Sequence, residues 1–450
     1  MLKGDLGGIY SPLFYLTLPQ NIKFGKRLRD IADINLTRNK PKFSGEELVP
    51  YVGLPETDEH DNDVKTVLER PFSEVGSRSL ILKNDILFAR IEPSIFNKKY
   101  IYVDDLKGFG YAFTSTEFYI LKAKSVLQKY LFYILFLDFF YNQVEGKTTG
   151  STGRRRLDKG AFENIIIPSP PLEIQQKIIN IFEKAYDVKK EKEAQAKALL
   201  ASIDNYLLTE LGITLPDKQE NSLKNRVFLR NISGVSGERF DAGFYQKYFI
   251  GVLQNIENGI FKCYPIHENA KFISGFAFKS EDYVESSDCY LITIKNIIAN
   301  SIDLTKSTFL PNHYFKLYQN FRVKENDLVI AMTGATIGKV GIFNETKQAL
   351  LNQRNGIIYS DKIDSIFLMS LLNLDLFQSL ILRNSNGGTQ PNISETDIMK
   401  IRIPFPPLEI QEKIVNHIQS IRDKAKALEN EAKEILEKAK VEVEKMILGE

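Results

Sequence analysis

Basic and amide side chains in loops are the chemically informative residues of this 450-residue sequence. The loop 147–159, KTTGSTGRRRLDK, holds five basic residues against one acid, and its glycines allow close approach to a ligand. Lysine and arginine contact phosphate groups, and arginine also pairs with guanine. We therefore predict that this loop contacts nucleic acid, with a solvated basic loop as the alternative. Its basic residues are Lys147, Arg154, Arg155, Arg156 and Lys159.

Four further clusters have side chains of suitable type. Asparagine and glutamine can pair with adenine through two hydrogen bonds, and hydroxyl groups can bond to bases or phosphates. We interpret these clusters as candidate nucleic-acid contacts, and turn chemistry between strands is the alternative for each. They are Arg90, Lys98 and Lys99; Thr333, Thr336 and Lys339; Asn352, Gln353 and Arg354; and Gln390 and Asn392 in the glycine-rich loop 385–392.

No catalytic or metal-binding pattern is complete. Ser169-Pro170-Pro171 resembles an amino-methyltransferase motif, but Leu172 stands where an aromatic ring would stack on a flipped base. GATIGKV (334–340) lacks the spacing and the final hydroxyl of a phosphate-binding loop. The two cysteines and four histidines have no metal-ligand spacing. We expect no catalytic site, no metal and no cofactor in this chain.

Composition limits where a nucleic-acid surface can be. The chain has 59 basic and 57 acidic residues, so a polyanion-binding surface must be local. The most apolar stretch, 130–141, is shorter than the ~20 residues of a membrane span. We expect it to form a buried amphipathic helix. With few cysteines and no signal-like N-terminus, the sequence favours a cytoplasmic protein without a membrane partner.

The sequence contains one unit twice. IIIPSPPLEIQQKI (165–178) and IRIPFPPLEIQEKI (401–414) agree at 11 of 14 positions, at an offset of 236 residues. LKNDILFA (82–89) weakly matches VKENDLVIA (323–331), pairing Asp85 with Asp327 at an offset of 242. The change of offset indicates insertions between the two anchors. We predict two copies of one globular unit in a pseudo-two-fold repeat.

Each copy begins with strand-rich sequence and continues into helix. Runs rich in β-branched and aromatic residues, such as 98–105 and 289–297, are bounded by Gly, Asn and Asp. Helical segments are predicted at Leu127–Tyr141 and Ser365–Leu382. The predicted fold class is therefore α/β (α+β).

The proline pair of each repeat predicts the start of a long helix. Proline suits the first helical turn, where the glutamate that follows is also favoured. Neither Pro nor Gly interrupts Leu172–Leu211 or Leu408–Leu448, and Gly212 and Gly449 suit the C-terminal caps. Each helix would be roughly 60 Å long.

Apolar seams on both helices predict that they pair as an antiparallel coiled coil. The alternative is that each helix packs only on its own globular domain. The seams consist of Phe182, Ala185, Ala196, Leu199, Ile203 and Tyr206, and of Ile418, Ile421, Ala425, Leu428, Ala432, Ile435, Ala439 and Met446. The predicted boundaries are a first domain at 1–167, a first helix at 168–212, a linker at 213–225, a second domain at 226–403 and a second helix at 404–450.

Together these features resemble the specificity subunits of type I restriction-modification systems. The duplicated PPLEIQ signature carries the resemblance, with KNDILFAR, ENDLVIAMTGATIGKVG, TTGSTGRRRL and ERFDAGFY, and it covers nearly the whole chain. It implies two target recognition domains that each read one half of a bipartite, interrupted double-stranded DNA target. It also implies that the helices act as a spacer. The first copy departs from the second, because ARIEPSIFNKK (89–99) stands where the second has TGATIGK.

The same resemblance implies partners and their cofactors. Two methyltransferase subunits, which use S-adenosylmethionine, would dock on the chain, and restriction subunits, which use ATP and Mg²⁺, would join them. The chain itself would be a non-catalytic recognition subunit. Two alternatives remain open at this point: the recognition subunit of a type IIB-like methylase-nuclease, and a coiled-coil scaffold that binds protein instead of DNA.

Overall fold

The computed structural model describes residues 24–58, 62–151, 155–216, 227, 229, 242–305, 307–385 and 391–448. Arg154, Gln390, Gly449 and most of the predicted linker 213–225 lie outside the described residues. The chain divides into two compact units: unit 1 is Met1–Ala194 with Leu428–Glu450, and unit 2 is Gln195–Ala427. Both long helices therefore contribute to both units.

The described part of unit 1 contains two four-stranded sheets, three two-stranded ribbons and six helices. Its strands are β1 (Gly25–Arg27), β2 (Ala32–Ile34), β3 (Leu48–Val52), β4 (Thr57–Asp58), β5 (Asp63–Val64), β6 (Leu68–Pro71), β7 (Ser79–Ile81), β8 (Ile86–Ala89), β9 (Tyr100–Tyr102), β10 (Ala112–Thr114), β11 (Phe118–Ala123), β12 (Thr148–Thr149), β13 (Arg156–Leu157) and β14 (Ile166–Pro168). Its helices are α1 (Leu28–Ile31), α2 (Phe72–Val75), α3 (Gln128–Ile134), α4 (Asp138–Val144), α5 (Lys159–Glu163) and the first part of α6 (Leu172–Leu211).

The described part of unit 2 contains two four-stranded sheets and two two-stranded ribbons. Its strands are β15 (Cys263–Pro265), β16 (Lys271–Ser274), β17 (Cys289–Ile292), β18 (Ile297–Ile298), β19 (Ser301–Ile302), β20 (Thr308–Leu310), β21 (Arg322–Val323), β22 (Leu328–Ala331), β23 (Val340–Ile342), β24 (Gln348–Leu351), β25 (Asn355–Tyr359) and β26 (Arg402–Pro404). Its helices are α7 (Lys247–Glu257), α8 (Ile266–Asn269), α9 (Tyr314–Leu317), α10 (Ser365–Leu372), α11 (Asp375–Asn384), α12 (Glu395–Met399) and the first part of α13 (Leu408–Leu448), with short 3-10 turns between them.

The two units share one sheet topology. The order β6-β3-β10-β7 in unit 1 corresponds to β20-β17-β24-β21 in unit 2, and in each sheet the two central strands are parallel. The order β2-β11-β8-β9 corresponds to β16-β25-β22-β23. This correspondence confirms the predicted duplication and the mixed α/β class.

The central strands of these sheets explain the repeated hydrophobic runs. All four residues of β8 and all four of β22 are buried, as expected for strands covered on both faces. Phe88 in β8 stacks on Tyr100, with ring centroids 4.5 Å apart. The repeated aspartates precede these strands: Asp85 accepts the Leu82 N–H at 2.8 Å, and Asp327 accepts the Lys324 N–H at 2.7 Å. The weak match at offset 242 is therefore a structural equivalence.

The two mid-unit helical segments are each broken, contrary to the sequence prediction. Leu127–Tyr141 forms α3 and α4 with Leu135–Leu137 between them, and Ser365–Leu382 forms α10 and α11. The first break is stabilised from far along the chain, because the Glu444 carboxylate accepts the Asp138 N–H at the start of α4, at 2.7 Å. A sequence window around Leu137 does not contain that acceptor.

No single helix in the described part of the chain is long and apolar enough to cross a membrane. Among the described helices, α10 and α11 pass that test of length and composition as a pair, and they are bent by 72° relative to each other. Their buried side chains belong to the unit 2 core.

The long helices lie within the predicted segments 168–212 and 404–450. α6 spans Leu172–Leu211 and α13 spans Leu408–Leu448. Gly212 adopts φ +65°, and the Ile213 and Gly212 N–H groups bond to the Leu208 and Thr209 carbonyls. These are the paired bonds of a left-handed helix cap, which favours glycine.

The two helices pair in antiparallel orientation. In unit 1, Lys192 forms an ion pair with Glu431, and in unit 2 Lys413 lies 3.5 Å from Glu210. The residue numbers rise along α6 as they fall along α13, which confirms the predicted coiled coil. The helices also pack against the globular cores. In unit 1, Phe182 of α6 stacks on Tyr133, with ring centroids 4.9 Å apart. Packing between the helices and packing on a globular domain therefore both occur.

The end of the second seam was predicted wrongly. Met446 is 38% exposed, whereas Val443 and Ile447 are buried in the unit 1 core. The seam turns at this point because the last turns of α13 pack against the globular core as well as against α6. Lys189 of α6 is buried beside Glu193, whose carboxylate lies 3.2 Å from the lysine ammonium group.

Candidate nucleic-acid interface

Three chain segments meet at one edge of each unit. In unit 1 the Arg90 N–H donates to the Glu117 carbonyl at 2.9 Å, and Ile91 pairs with Arg156. We define loop cluster 1 as Arg90, Glu92, Glu117, Arg155 and Arg156. The segments come from the ends of β8 and β13 and from the turn before β11.

Unit 2 brings the equivalent segments together by the same main-chain bonds. The Met332 N–H donates to the Arg354 carbonyl at 2.9 Å, and Thr333 pairs with Asn392. We define loop cluster 2 as Thr333, Thr336, Arg354 and Asn392. The shared bonds make Glu117 equivalent to Arg354, and Arg156 equivalent to Asn392.

Arginine and glutamate side chains are paired in loop cluster 1. The Arg156 guanidinium donates to both oxygens of Glu117, with Nε–Oε2 at 2.9 Å and Nη2–Oε1 at 2.7 Å. This bond raises the pKa of Arg156, which therefore stays charged. Arg155 donates to the Thr148 carbonyl at 2.9 Å, and its Nε lies 4.0 Å from Glu92. The basic loop is held in place by acids from two other segments.

Arg90 stacks beside this pair. Its guanidinium lies 4.9 Å from the centre of the Tyr119 ring, and the Tyr119 hydroxyl donates to the Leu157 carbonyl at 2.8 Å. The Nε of Arg90 is buried and has no hydrogen-bond partner among the described residues. Stacking on tyrosine holds Arg90 next to the strand that carries Arg156.

Three of the four predicted lysines of unit 1 lie in different surroundings. Lys98 donates to the Phe136 carbonyl at 3.2 Å and lies 3.7 Å from Asp138, so it secures the break between α3 and α4. Lys99 is half-buried. Lys147 is exposed and immediately precedes β12, which pairs with the strand that carries Arg156. Of the three, Lys147 is the one at the hairpin of loop cluster 1.

Loop cluster 2 is built from hydroxyl and amide groups around a tight turn. Gly334 has φ +77°, a conformation that favours glycine, and its N–H donates to the Pro391 carbonyl at 3.2 Å. The Thr336 hydroxyl donates to the Ile294 carbonyl at 3.1 Å. Lys339 follows in the same turn, where its N–H donates to the Thr336 carbonyl. Thr333, Thr336 and Lys339 of this turn are half-buried, whereas Asn392 beside them is exposed.

The turn 352–354 presents two exposed side chains next to this cluster. The Asn352 N–H donates to the Ile292 carbonyl at 3.1 Å, which fixes the turn, while Gln353 and Arg354 are exposed. The equivalent turn of unit 1 is Ser115–Glu117, which the sequence analysis missed. The sequences TSTE and LNQR share no letters that could have aligned them.

The described residues contain no group of three or more His, Cys, Asp and Glu side chains placed to hold a metal ion. Both cysteines are buried, and burial raises the pKa of the Cys263 thiol to about 11. A thiol with that pKa is mostly protonated at neutral pH and is a poor nucleophile.

Comparison with known proteins identifies the class. The model of the type I restriction modification DNA specificity domain matches residues 23–202 and 261–438, which are the two copies. The chain belongs to this family, and its role is DNA recognition in type I restriction-modification.

Two curated relatives and one solved structure are similar along most of the chain. The type I restriction enzyme MjaVIII specificity subunit of Methanocaldococcus jannaschii is 29% identical over 73% of this chain and 71% of its own. The EcoAI specificity subunit of Escherichia coli is 24% identical, over 75% and 67%. A chain from a structural study of type I R-M complex assembly and conformational transition matches at TM-score 0.52 and 18% identity, over 96% and 97%. That last likeness concerns the fold alone.

Proposed function

We propose that each unit reads one half of a bipartite, interrupted double-stranded DNA target, and that loop clusters 1 and 2 lie at the two reading surfaces. One observation carries this proposal: the two units share the same main-chain bonds at the loop clusters but have different side chains there. Arg156 and Glu117 in unit 1 stand where Asn392 and Arg354 stand in unit 2. A common scaffold with exchanged polar groups is what two readers of different base sequences require.

The predicted contacts divide by chemistry. Arg155, Arg156 and Lys147 supply charge for phosphates or guanine, whereas Gln353, Arg354 and Asn392 supply amide and guanidinium groups for base edges. Lys98 bonds to Phe136 and Asp138 at the break between α3 and α4, and not at the hairpin of loop cluster 1, so we propose no DNA contact for it. Thr333, Thr336, Lys339 and Lys99 are proposed as neighbours that shape the surface.

Two long helices suit a spacer that sets the gap between the half-sites. α6 and α13 are uninterrupted over 40 and 41 residues. At ~1.5 Å per residue each would extend roughly 60 Å. We propose that two methyltransferase subunits dock on α6 and α13 and that restriction subunits join them.

The chemistry would then belong to those partners. S-adenosylmethionine would bind the methyltransferase subunits, and ATP and Mg²⁺ the restriction subunits, while this chain takes no cofactor and catalyses nothing. The complex would work in the cytoplasm, where its DNA is.

Methylation mapping tests the function directly. The chain is expressed with its methyltransferase subunit in a host that lacks other methylation, and modified adenines are located across the genome. We expect one split motif with two short specific halves and a constant gap. An undivided motif would contradict the two-reader proposal. A stable complex that methylates nothing would favour a protein-binding scaffold.

A matched pair of variants assigns the loop clusters. Arg156→Ala in loop cluster 1 and Asn392→Ala in loop cluster 2 occupy equivalent positions, so each should relax a different half of the motif. If both variants relax the same half, or if neither changes the motif, the loop clusters are not the reading surfaces.

A further inference from the structure

Unit 1 has a cleft of about 410 Å³ between its globular part and α6. We call it cleft 1. Four carboxylates and two lysines surround it, together with aromatic side chains. It is lined by Asn62, Asp63, Tyr102, Asp104, Lys129, Phe132, Tyr133, Glu183, Tyr186, Asp187 and Lys190.

Unit 2 has the equivalent cleft, cleft 2, of about 230 Å³ between its globular part and α13. All but one of its lining residues are equivalent to a lining residue of cleft 1, as judged from the strand pairing and the helix starts. Asn300 corresponds to Asn62, and both have a positive φ. The lining residues of cleft 2 are Asn300, Asn326, Ile342, Asn344, Ile366, Met369, Gln419 and Arg422.

The charges differ at four equivalent positions. Asn344 and Gln419 in cleft 2 replace Asp104 and Glu183 in cleft 1, so two carboxylates become their neutral amides. At the third position Arg422 of α13 replaces Tyr186 of α6, and at the fourth Ile366 replaces Lys129. At these positions cleft 1 has two negative groups and one positive group, whereas cleft 2 has one positive group alone.

The guanidinium of Arg422 occupies cleft 2. It donates to the Asn300 side-chain oxygen at 2.9 Å and to the Ser370 hydroxyl at 3.3 Å. Burial lowers its pKa, and no carboxylate of the described residues lies within 4.0 Å. Cleft 2 thus shows that this place in the fold accommodates a guanidinium group, which here is supplied by the chain itself.

Cleft 1 has more acidic groups that would hold such a cation, and α6 has Tyr186 where α13 has Arg422, although α6 also supplies Lys190 to the lining. Lys129 is bound to Glu183 at 2.5 Å, whereas Asp104 and Asp187 have no basic group within 4.0 Å in the described part of the chain. Tyr133 and Tyr186 stack at 5.8 Å and form an aromatic wall. The Tyr186 hydroxyl makes no hydrogen bond to a described residue. Tyrosine faces beside carboxylates are the usual surroundings of a bound guanidinium.

We propose that cleft 1 receives a basic side chain, arginine or lysine, of the methyltransferase subunit, whereas cleft 2 is filled by Arg422 and receives none. This inference rests on the proposed docking of that subunit. A protein side chain is the favoured source because α6, one wall of the cleft, is also the helix on which the proposed partner docks.

Hydrogen exchange with the purified methyltransferase subunit as probe tests the proposal on the full-length chain. The peptide 183–190 reports on cleft 1, and the equivalent peptide 419–426 reports on cleft 2. Asp104→Asn combined with Asp187→Asn changes two exposed carboxylates and should not affect folding, which circular dichroism checks. The quantity measured is the concentration of methyltransferase subunit that gives half-maximal protection of peptide 183–190 from exchange. We expect the double variant to raise this concentration about tenfold.

Two further variants sharpen the result. Asp423→Asn removes the charge equivalent to Asp187 from unit 2, and we expect it to leave protection of peptide 183–190 unchanged. Tyr186→Arg places a guanidinium where Arg422 has one, so it should weaken protection as the double variant does.

The outcomes separate the cleft from the function. Wild-type binding with unchanged protection in the double variant overturns the cleft proposal alone. Agmatine, a free guanidinium compound, could also protect the peptide while the double variant leaves methyltransferase binding unaffected. That result would assign cleft 1 to a free cation and would overturn the proposal that a methyltransferase side chain fills it. If the wild-type chain binds no methyltransferase subunit, the proposed function fails and the cleft proposal fails with it.

Discussion

The two copies of the unit keep the main chain and change the side chains at the edge where loop segments meet. Ile91 pairs with Arg156 in unit 1 as Thr333 pairs with Asn392 in unit 2. Unit 1 places a bidentate arginine–glutamate pair there, whereas unit 2 places an exposed asparagine and an arginine. The main-chain bonds between the loop segments are therefore the same in both units and maintain the fold. The exposed side chains at these positions can differ between the two proposed readers.

The repeated aspartates, Asp85 and Asp327, differ between the two units in burial and in hydrogen-bond partners. Asp85 is fully buried and accepts Arg38 Nη2 at 2.7 Å, while Asp327 is only half-buried and has no such partner among the described residues. Burial raises the pKa of Asp327, so its charge opposes folding at neutral pH. Equivalent aspartates therefore contribute differently to stability.

The largest expected effect separates these two aspartates. Asp85→Asn leaves the buried Arg38 guanidinium without its counter-charge and should cost about 3 kcal/mol of unfolding free energy. Asp327→Asn should change it by less than about 0.5 kcal/mol, because asparagine still accepts the Lys324 N–H. Urea unfolding followed by circular dichroism measures both, since the chain has no tryptophan. Equal losses would show that Arg38 does not distinguish the copies.

The sign of the pH dependence at Asp327 follows from its raised pKa. A carboxyl whose folded pKa lies above its ordinary value of 3.8 destabilises the fold when ionised. This cost in unfolding free energy is absent when the pH lies below the ordinary pKa of 3.8. It appears as the pH rises through the pKa of Asp327 in the folded state. Asp327→Asn should remove this loss of stability between acidic and neutral pH.

The second prediction concerns a bond that both copies share. Gln175 accepts the Leu127 N–H at 2.8 Å and donates to the Pro170 carbonyl at 2.7 Å, and Gln411 makes the same two bonds to Asp364 and Pro406. Both glutamines are buried. Replacing either by alanine leaves buried polar groups unpaired and should cost about 2 kcal/mol of unfolding free energy.

The exposed neighbour of Gln175 is the control for that substitution. Gln176 bonds only to the Asn180 side chain at 2.9 Å, so Gln176→Ala should cost less than about 0.5 kcal/mol. Markedly different losses for Gln175 and Gln411 would mean that the repeated signature has diverged in its structural role.

The third prediction contrasts charge with hydrogen bonding at the loop clusters. Arg155→Ala with Arg156→Ala should weaken specific DNA binding about tenfold and reduce the salt slope by ~0.9 per lost phosphate contact. Asn392→Ala should weaken binding without changing the slope. Fluorescence anisotropy at several salt concentrations measures both quantities. An unchanged slope in the arginine variant would remove the loop of residues 147–159 from the DNA surface.

The smallest effect is expected at Lys98. Its ammonium group is engaged by Phe136 and Asp138, so Lys98→Ala should leave DNA affinity and its salt slope unchanged. Lys147→Ala, which changes an exposed lysine beside loop cluster 1, is the matched comparison and should reduce the slope. A reduced slope for Lys98→Ala would place that lysine on the DNA after all.

Local signals in the sequence were sufficient for the long helices. Proline pairs begin both helices and Gly212 ends α6 through its positive φ, so the starts of α6 and α13 and the end of α6 follow from short segments alone. The break before α4 was not predictable, because its acceptor, Glu444, lies 306 residues further along the chain. Met446 was misplaced for a similar reason: the globular core, and not the heptad pattern, decides which face of the last turns is buried.

The candidate site was predictable only in part. Runs such as Arg154–Arg156 and Asn352–Arg354 are visible as polar clusters, but composition alone does not indicate their partners. Glu117, which binds Arg156 from 39 residues away, lies between two anchors of different offset and was missed. Lys98 was predicted as a DNA contact because of its charge. In the structure its ammonium group contacts a main-chain carbonyl and an acidic side chain of unit 1.

Exchange of one reader tests the central claim most directly. Residues 226–403 are replaced by the corresponding part of another member of the family, and adenine methylation is mapped with the same methyltransferase subunit. The account predicts that one half of the split motif changes, while the other half and the gap stay as they were. A change in both halves, or in neither, would contradict the claim that each copy reads its own half.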